Sequence, residues 1–255
     1  MISSIQQFKA ILPTVIGDDI TIYQSSIDGA YRWIAREILG AELATNAKLT
    51  DKIDVAVAYR AYKEAIPMLD LVNTSNGFAV ISDASYVPAS RERVSALISA
   101  VDRSLRDSLA DLYEYIEDDV ALAPIFAQFG RSTIVSGSLL PTRRQACAYA
   151  VFDGGYPEWI GLRGKHQLIL TTTLYARFGR ELIDAVVNAK DNLRVLPIAE
   201  PLKYAFAALL INDNNTTTAM MTIIDGELRN HPDLYPEHII SEQKVFESKS
   251  VISFL

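Results

Sequence analysis

Residues 88–119 read PASRERVSALISAVDRSLRDSLADLYEYIEDD, and this stretch decides the fold. Its apolar residues recur at the i, i+3, i+4, i+7 spacing of a helix with one buried face. They are Val94, Leu97, Ile98, Val101, Leu105, Leu109, Leu112, Tyr113 and Ile116. At about 1.5 Å of rise per residue, a helix over residues 89–118 would be about 45 Å long. The pattern therefore predicts one continuous helix that forms the spine of a domain.

The two ends of this helix differ in how well the sequence specifies them. Pro88 suits a first helical turn, Ser90 can cap it, and Glu92 lies where the helix dipole favours a carboxylate. Four acids occupy the other end, where the dipole favours cations: Glu114, Glu117, Asp118 and Asp119. Either the helix continues, or these acids face solvent or a basic partner.

A β-hairpin is predicted just before the spine helix. Residues 69–72 and 78–82 alternate in polarity on either side of the sequence Asn73-Thr74-Ser75-Asn76-Gly77. Asn and Gly tolerate the positive φ that tight turns need. Because an isolated two-stranded hairpin is marginally stable, it should lie on the helices or pair with a neighbouring chain.

The rest of the chain predicts a mainly α protein with two domains and an arm. Helices end at Pro13, Gly40 and Pro67, and with the spine they predict an antiparallel bundle with a small hairpin over residues 1–129. Residues 130–228 predict a second, mostly helical domain with minor β structure, because Gln167 to Tyr175 has the β-branched content of a strand. That segment could equally begin a helix.

Residues 229–255 predict an extended C-terminal arm, since Pro232 and Pro236 interrupt it and polar residues dominate. Its apolar tip is Val251, Ile252, Phe254 and Leu255. Such an arm either docks on a neighbouring molecule or folds back on its own domain.

Composition excludes some classes of protein. With 24 basic and 31 acidic residues the net charge is −7, so the surface should repel phosphates and a nonspecific DNA binder is not expected. Cys147 is the only cysteine, which excludes an internal disulfide and indicates a reducing compartment; its helical context predicts an inert buried thiol. No apolar run is long enough to span a membrane, and the N-terminus lacks the features of a signal peptide.

The sequence predicts no catalytic, cofactor-binding or metal-ligating residue. His231 and His238 are separated by prolines that prevent the i, i+4 spacing of a helical zinc pair. The glycines around Lys165 lack the spacing of a phosphate-binding loop. No Gly-x-Ser-x-Gly elbow occurs, and none of the three histidines is near an obvious serine in the sequence.

An interface is predicted instead of an active site. The basic residues concentrate at Arg131, Arg143, Arg144, Arg163 and Lys165. These residues either bind an acidic neighbour, which could be the acidic end of the spine in another copy, or are cations scattered over the surface without a common role. The candidate interface residues are Arg143, Arg144, Glu117 and Asp118, with the apolar tip Val251, Ile252, Phe254 and Leu255.

One stretch resembles a known family. Residues 77–82, GFAVIS, are followed by residues 88–94, PASRERV, and by Leu97. This resembles a family of uncharacterised virion proteins of tailed phages and prophages of gut bacteria, crAss-like phages included. In that family a Gly-Phe-x-Val strand leads into a Pro-Ala-Ser-Lys-x-Arg-Val-x-x-Leu helix, so Arg91 stands where Lys is more usual. The close likeness covers about twenty residues and carries over no functional residue.

The resemblance implies a role at the joint between phage head and tail, because family members resemble connector, ring or head-completion proteins. The expected protein is a non-enzymatic homo-oligomeric ring in the virion, assembled in the host cytoplasm. It would contact portal and tail or neck proteins and let DNA pass without binding it specifically, and it would involve no membrane. The alternative is a cytoplasmic helical adaptor that binds a protein or peptide in one-to-one complexes.

Overall fold

A computed structural model describes residues 1–15, 17–69, 71–74, 77–80, 90–149, 154–188, 195–236 and 238 of the chain, with backbone alone over 71–74 and 77–80. The described part is mainly helical, which confirms the prediction of a mainly α protein. The chain divides into two compact units, Met1–Ser132 and Thr133–Leu255. This division lies close to Gly130, where the sequence predicts a boundary.

The first unit contains helices and one pair of strands. They are α1 (Ile5–Ile11), α2 (Thr21–Trp33), α3 (Ala41–Ala44), α4 (Thr50–Ala65), β1 (Leu71–Thr74), β2 (Gly77–Val80), α5 (Arg91–Asp118) and α6 (Leu122–Gln128). A π-helical turn, Ile34–Ile38, extends α2, and 3₁₀ turns, Ala47–Leu49 and Ile66–Met68, flank α4. The backbones of β1 and β2 pair antiparallel, with Leu71 opposite Val80.

Helix α4 forms the centre of this unit and packs against both α2 and α5. Its side chains Ala56, Ala58 and Ala61 are fully buried. Small side chains let neighbouring helices approach closely, so α4 can contact a helix on each side without leaving voids. Lys48 meets Asp119 and Lys63 meets Asp102, which shows that α4 and α5 run antiparallel.

Helix α5 is the predicted spine, and it is continuous over 28 residues. Ser90 is its N-cap, because its hydroxyl accepts a hydrogen bond from the backbone N–H of Arg93. The long continuous helix and its cap are thus confirmed.

The burial of α5 is uneven along its length. Most of the apolar stripe from Val101 to Ile116 is buried, with Leu109 as the exception, whereas Val94, Leu97 and Ile98 are all only half-buried. The reason is the register: Lys63, near the end of α4, contacts Asp102, so residues 91–100 extend past α4. At about 1.5 Å per residue this projecting end of α5 is roughly 15 Å long.

Asp119 joins three segments at the other end of α5. Its Oδ2 atom lies 2.8 Å from Lys48 Nζ, and its Oδ1 atom accepts from the backbone N–H groups of Ala121 at 2.8 Å and Leu122 at 3.1 Å. The hydrogen bond from Lys48 is the main reason that the pKa of Asp119 lies below its usual value. This acid therefore ends α5 and begins α6, instead of simply facing solvent.

The second unit is helical throughout its described residues. The helices are α7 (Arg143–Ala148), α8 (Tyr156–Gly161), α9 (Arg163–Ile169), α10 (Tyr175–Phe178), α11 (Arg180–Asn188), α12 (Leu196–Ile211) and α13 (Asn214–Asn230). Helix α12 forms the core and packs against α13 and α9. It ends at Asn212, which adopts a left-handed conformation with φ of 62°, and Asp213 then caps α13.

The strand interpretation of residues 167–175 is wrong. These residues continue α9 through a π-helical turn, Leu170–Leu174, into α10. Thr171 donates its hydroxyl hydrogen to the carbonyl of Gln167 at 2.8 Å, and Ile169 and Leu174 are buried. The β-branched threonines therefore satisfy their hydroxyls within the helix while the aliphatic residues fill the core. No strand occurs among the described residues of this unit, so the minor β structure predicted there is not found.

The extended arm does not begin at residue 229. Helix α13 continues to Asn230, a 3₁₀ turn covers Pro232–Leu234, and the Tyr235 side chain is fully buried. The chain thus packs on the second unit at least as far as Tyr235. The predicted apolar tip, Val251, Ile252, Phe254 and Leu255, lies outside the described residues.

Candidate functional site

The predicted basic residues belong to two units, Arg131 to the first and the other four to the second. Arg131 pairs with Glu37. In the second unit, the Arg143 guanidinium lies over the Tyr156 ring, 5.2 Å from its centre, and Arg143 Nε donates to the Gly154 carbonyl at 2.9 Å. These arginines therefore have partners within their own units.

Lys165 binds the C-terminal end of α12. Its Nζ atom donates to the backbone carbonyl of Leu210 at 2.6 Å and contacts Asn212 Oδ1 at 3.2 Å. The last carbonyls of a helix have no partner within it, and a cation there also complements the helix dipole. Lys165 thus caps α12.

We expect the change Lys165→Met to lower the free energy of unfolding of the second unit by about 1 kcal/mol, because it removes a cap but keeps the aliphatic stem. A urea titration followed by circular dichroism would measure the loss. The matched control is Arg229→Met, an exposed cation in the same unit, which should change the stability by less than about 0.5 kcal/mol. Equal effects of the two changes would contradict the capping role.

The other predicted interface residues lie at the surface or close to it. Arg144 is exposed on α7, Asp118 is exposed on the last turn of α5, and Glu117 beside it is half-buried. The arginines and the acids belong to different units.

A serine does lie beside a histidine, although no such pair is visible in the sequence. His166 Nδ1 is 2.9 Å from Ser138 Oγ, and the imidazole packs edge-on against Trp159 and Phe206. Both members of the pair are buried, and His166 Nε2 has no hydrogen-bond partner among the described residues. Burial, with a smaller contribution from the charge of Arg163, lowers the pKa of His166 to about 4. Within the described residues the ring is enclosed and has no orienting acid beside it, which is the environment of a histidine packed in a core.

The remaining sequence candidates are dispersed. His231 is 3.9 Å from Glu227, whereas His238 faces the Phe178 carbonyl. Within the described residues, no three His, Cys, Asp or Glu side chains converge as metal ligands would. Cys147 is half-buried, so it is less enclosed than predicted. No helix in the described part of the chain is both long enough and apolar enough to cross a membrane.

A charged groove lies at the contact between α4 and α5. It has a volume of about 440 Å³, and its described lining residues carry three cations and one carboxylate. They are Lys63, Ile98, Ser99, Asp102, Arg103 and Arg106, and we call this the basic groove. Asp102 bonds both Lys63 and Arg106, and hydrogen bonds from these two cations hold its pKa below the usual value.

Acidic residues dominate the next part of α5. Residues 91–106 contain four arginines and two acids, whereas residues 107–118 contain five acids and no Lys or Arg. Asp107, Asp111, Glu114 and Asp118 are all exposed and follow the i, i+4, i+7, i+11 spacing of one helix face. We call these four residues the acidic stripe. Asp111 also lines a smaller cleft of about 180 Å³ with Asp51 and Lys52.

Sequence reasoning missed the basic groove but had a signal for it. The separation of positive and negative charge along residues 91–118 is readable from the sequence. The contribution of Lys63 is not, because it depends on the register of α4 against α5.

Comparison with known proteins gives one match. Residues 12–126 are similar to DUF6712, a family of unknown function, and this range extends from α2 into α6. It therefore includes the spine, the basic groove and the acidic stripe. No curated protein and no solved structure matches the chain.

Proposed function

We propose that this protein is a structural component of a phage virion at the joint between head and tail. Copies of the chain form a closed ring around the DNA channel, between portal and tail or neck proteins. The ring assembles in the host cytoplasm, performs no chemistry and involves no membrane. The resemblance of residues 77–97 to phage virion proteins supports this assignment.

The structural observation that carries the proposal is the projecting end of α5. A rigid helix is anchored along its C-terminal two-thirds, while Val94, Leu97 and Ile98 remain half-buried on the part beyond α4. Apolar side chains at the end of a rigid element can be buried further by another molecule. A ring requires such a contact to join two different surfaces of neighbouring copies.

Two further features fit a ring of subunits around DNA: one concerns the passage of DNA and the other the contact between neighbouring copies. The net charge of −7 disfavours binding of phosphates, which would let DNA move through the ring without being held. Within the described residues β1 and β2 pair only with each other, so we take them as a small β element of the bundle whose outer edges can pair with a strand of a neighbour.

Electron microscopy of the purified full chain, alone and mixed with its portal protein, tests this function. We expect closed rings of uniform diameter that bind the portal. Monomers that persist at high concentration and bind neither portal nor tail components would refute the proposal. One-to-one complexes with a single protein partner would instead support a helical adaptor.

A further inference from the structure

We infer that the basic groove of one copy receives the acidic stripe of a second copy, and that this contact defines the ring interface. The inference rests on the proposed function, because it names the surfaces that join neighbouring subunits. The partner is therefore a second copy of this chain.

The basic groove is suited to bind carboxylates. Lys63, Arg103 and Arg106 surround the single acid Asp102, so the described lining carries a net charge of +2 on a chain whose net charge is −7. Arg103 is exposed and forms no ion pair with any described residue, and Arg106 is 68% exposed at its side chain. Guanidinium groups bind carboxylates through paired hydrogen bonds, so both arginines can accept a further acid.

The acidic stripe supplies matching groups. Asp107 and Asp111 are one helical turn apart and exposed, and no ion pair to either is found in the described part of the chain. A row of like charges repels itself on a negatively charged protein, and a complementary patch on a neighbour reduces that repulsion. The two carboxylates form a short rigid row that two arginines can match.

The basic groove and the acidic stripe are two different surfaces of one copy, as the head-to-tail contact of a ring requires. The basic groove uses residues 98–106 of α5 and the acidic stripe uses residues 107–118, so they are displaced along the same helix by roughly 15 Å. Each copy then offers one surface to the copy before it and the other to the copy after it. This is a heterologous contact, which generates rings or filaments.

Charge reversal in the full-length protein tests the inference. The groove variant carries Arg103→Glu and Arg106→Glu, and the stripe variant carries Asp107→Lys and Asp111→Lys. Size-exclusion chromatography with light scattering, and electron microscopy, would measure assembly. Each variant alone should assemble at least about tenfold more weakly than the unaltered chain, because like charges then meet at the contact.

Mixing the two variants in equal amounts should restore association between them, and closed rings where the subunit number is even, because the two variants must alternate. The acidic groove of one variant then faces the basic stripe of the other, and the unaltered stripe and groove also remain matched. A loss of rings through misfolding would not be rescued by mixing. Circular dichroism and the melting temperature of each variant verify that the units remain folded.

The matched control is Arg32→Glu with Arg36→Glu, which alters two exposed arginines on the first unit and gives the same net charge as the groove variant. Assembly of this control should stay within about twofold of the unaltered chain, because distant exposed charges are screened in physiological salt. If both single-surface variants form rings as well as the unaltered chain, or if the folded variants do not associate with each other on mixing, the inference is wrong while the ring function stands. If the unaltered chain never forms rings, the proposed function itself fails.

Discussion

The change Leu112→Ala should lower the free energy of unfolding of the first unit by about 2–5 kcal/mol, because it leaves a cavity in the core of the bundle. Leu112 is fully buried on α5. Hydrogen exchange of peptides from residues 101–118, measured across a urea titration, would report the stability of this unit directly.

The matched control is Leu97→Ala on the projecting end of the same helix. Leu97 belongs to the same apolar stripe but is only half-buried, so the isolated chain should lose less than about 1.5 kcal/mol. The pair of substitutions keeps the residue type and the helix constant and varies only burial. Similar losses at both positions would show that residues 91–100 are anchored as firmly as the rest of α5, which would remove the main structural support for the ring.

The second unit should lose stability as the pH falls from about 6.5 to about 4, by about 3 kcal/mol in total. The pKa of His166 lies near 4 in the folded chain and near 6.5 when unfolded, so over this interval the unfolded state binds a proton that the folded state excludes. The second unit therefore has its full free energy of unfolding above about pH 6.5, and this free energy falls as the pH is lowered from about 6.5 to about 4. The cause is burial of the imidazole beside Trp159, Phe206 and Ser138.

Urea titrations at several pH values would measure this dependence. The chain has two tryptophans, Trp33 in the first unit and Trp159 in the second, so a Trp33→Phe background leaves an indole that reports the second unit alone. In that background, His166→Phe should remove most of the slope between about pH 6.5 and pH 5.5, which lies above the range where Glu200 and Asp213, whose pKa values are lowered, also titrate. The control His231→Gln should retain the slope, because His231 is an exposed residue. A slope that survives His166→Phe would assign the proton uptake to another group.

The sequence predicted those helices and helix ends that depend only on residues close together in the chain. The spacing of Val101, Leu105 and Leu112 predicted α5, and Ser90 predicted its start. Gly40, with φ of 80°, ends the π-helical extension of α2 because few other residues adopt that conformation. In each case the information lies within a few residues of the feature.

Features that depend on distant contacts were not predictable in this way. Residues 167–175 have the composition of a strand, but burial of Ile169 and Leu174 in helical phase decided their conformation. Ser138 and His166 are 28 residues apart, and nothing in the sequence indicates that they meet. The basic groove similarly requires Lys63 to reach Asp102 across 39 residues.

The contacts of Asp119 between α5 and α6 restrict which residue can occupy this position. One carboxylate oxygen receives the ammonium of Lys48 and the other receives the two amide hydrogens that begin α6. An asparagine could serve the amides with its carbonyl oxygen, but it would then direct its own NH₂ group at the ammonium, so donor would oppose donor. A glutamate would keep the charge but place it one methylene too far from the amides. Neither asparagine nor glutamate can therefore replace aspartate here without losing one of these contacts.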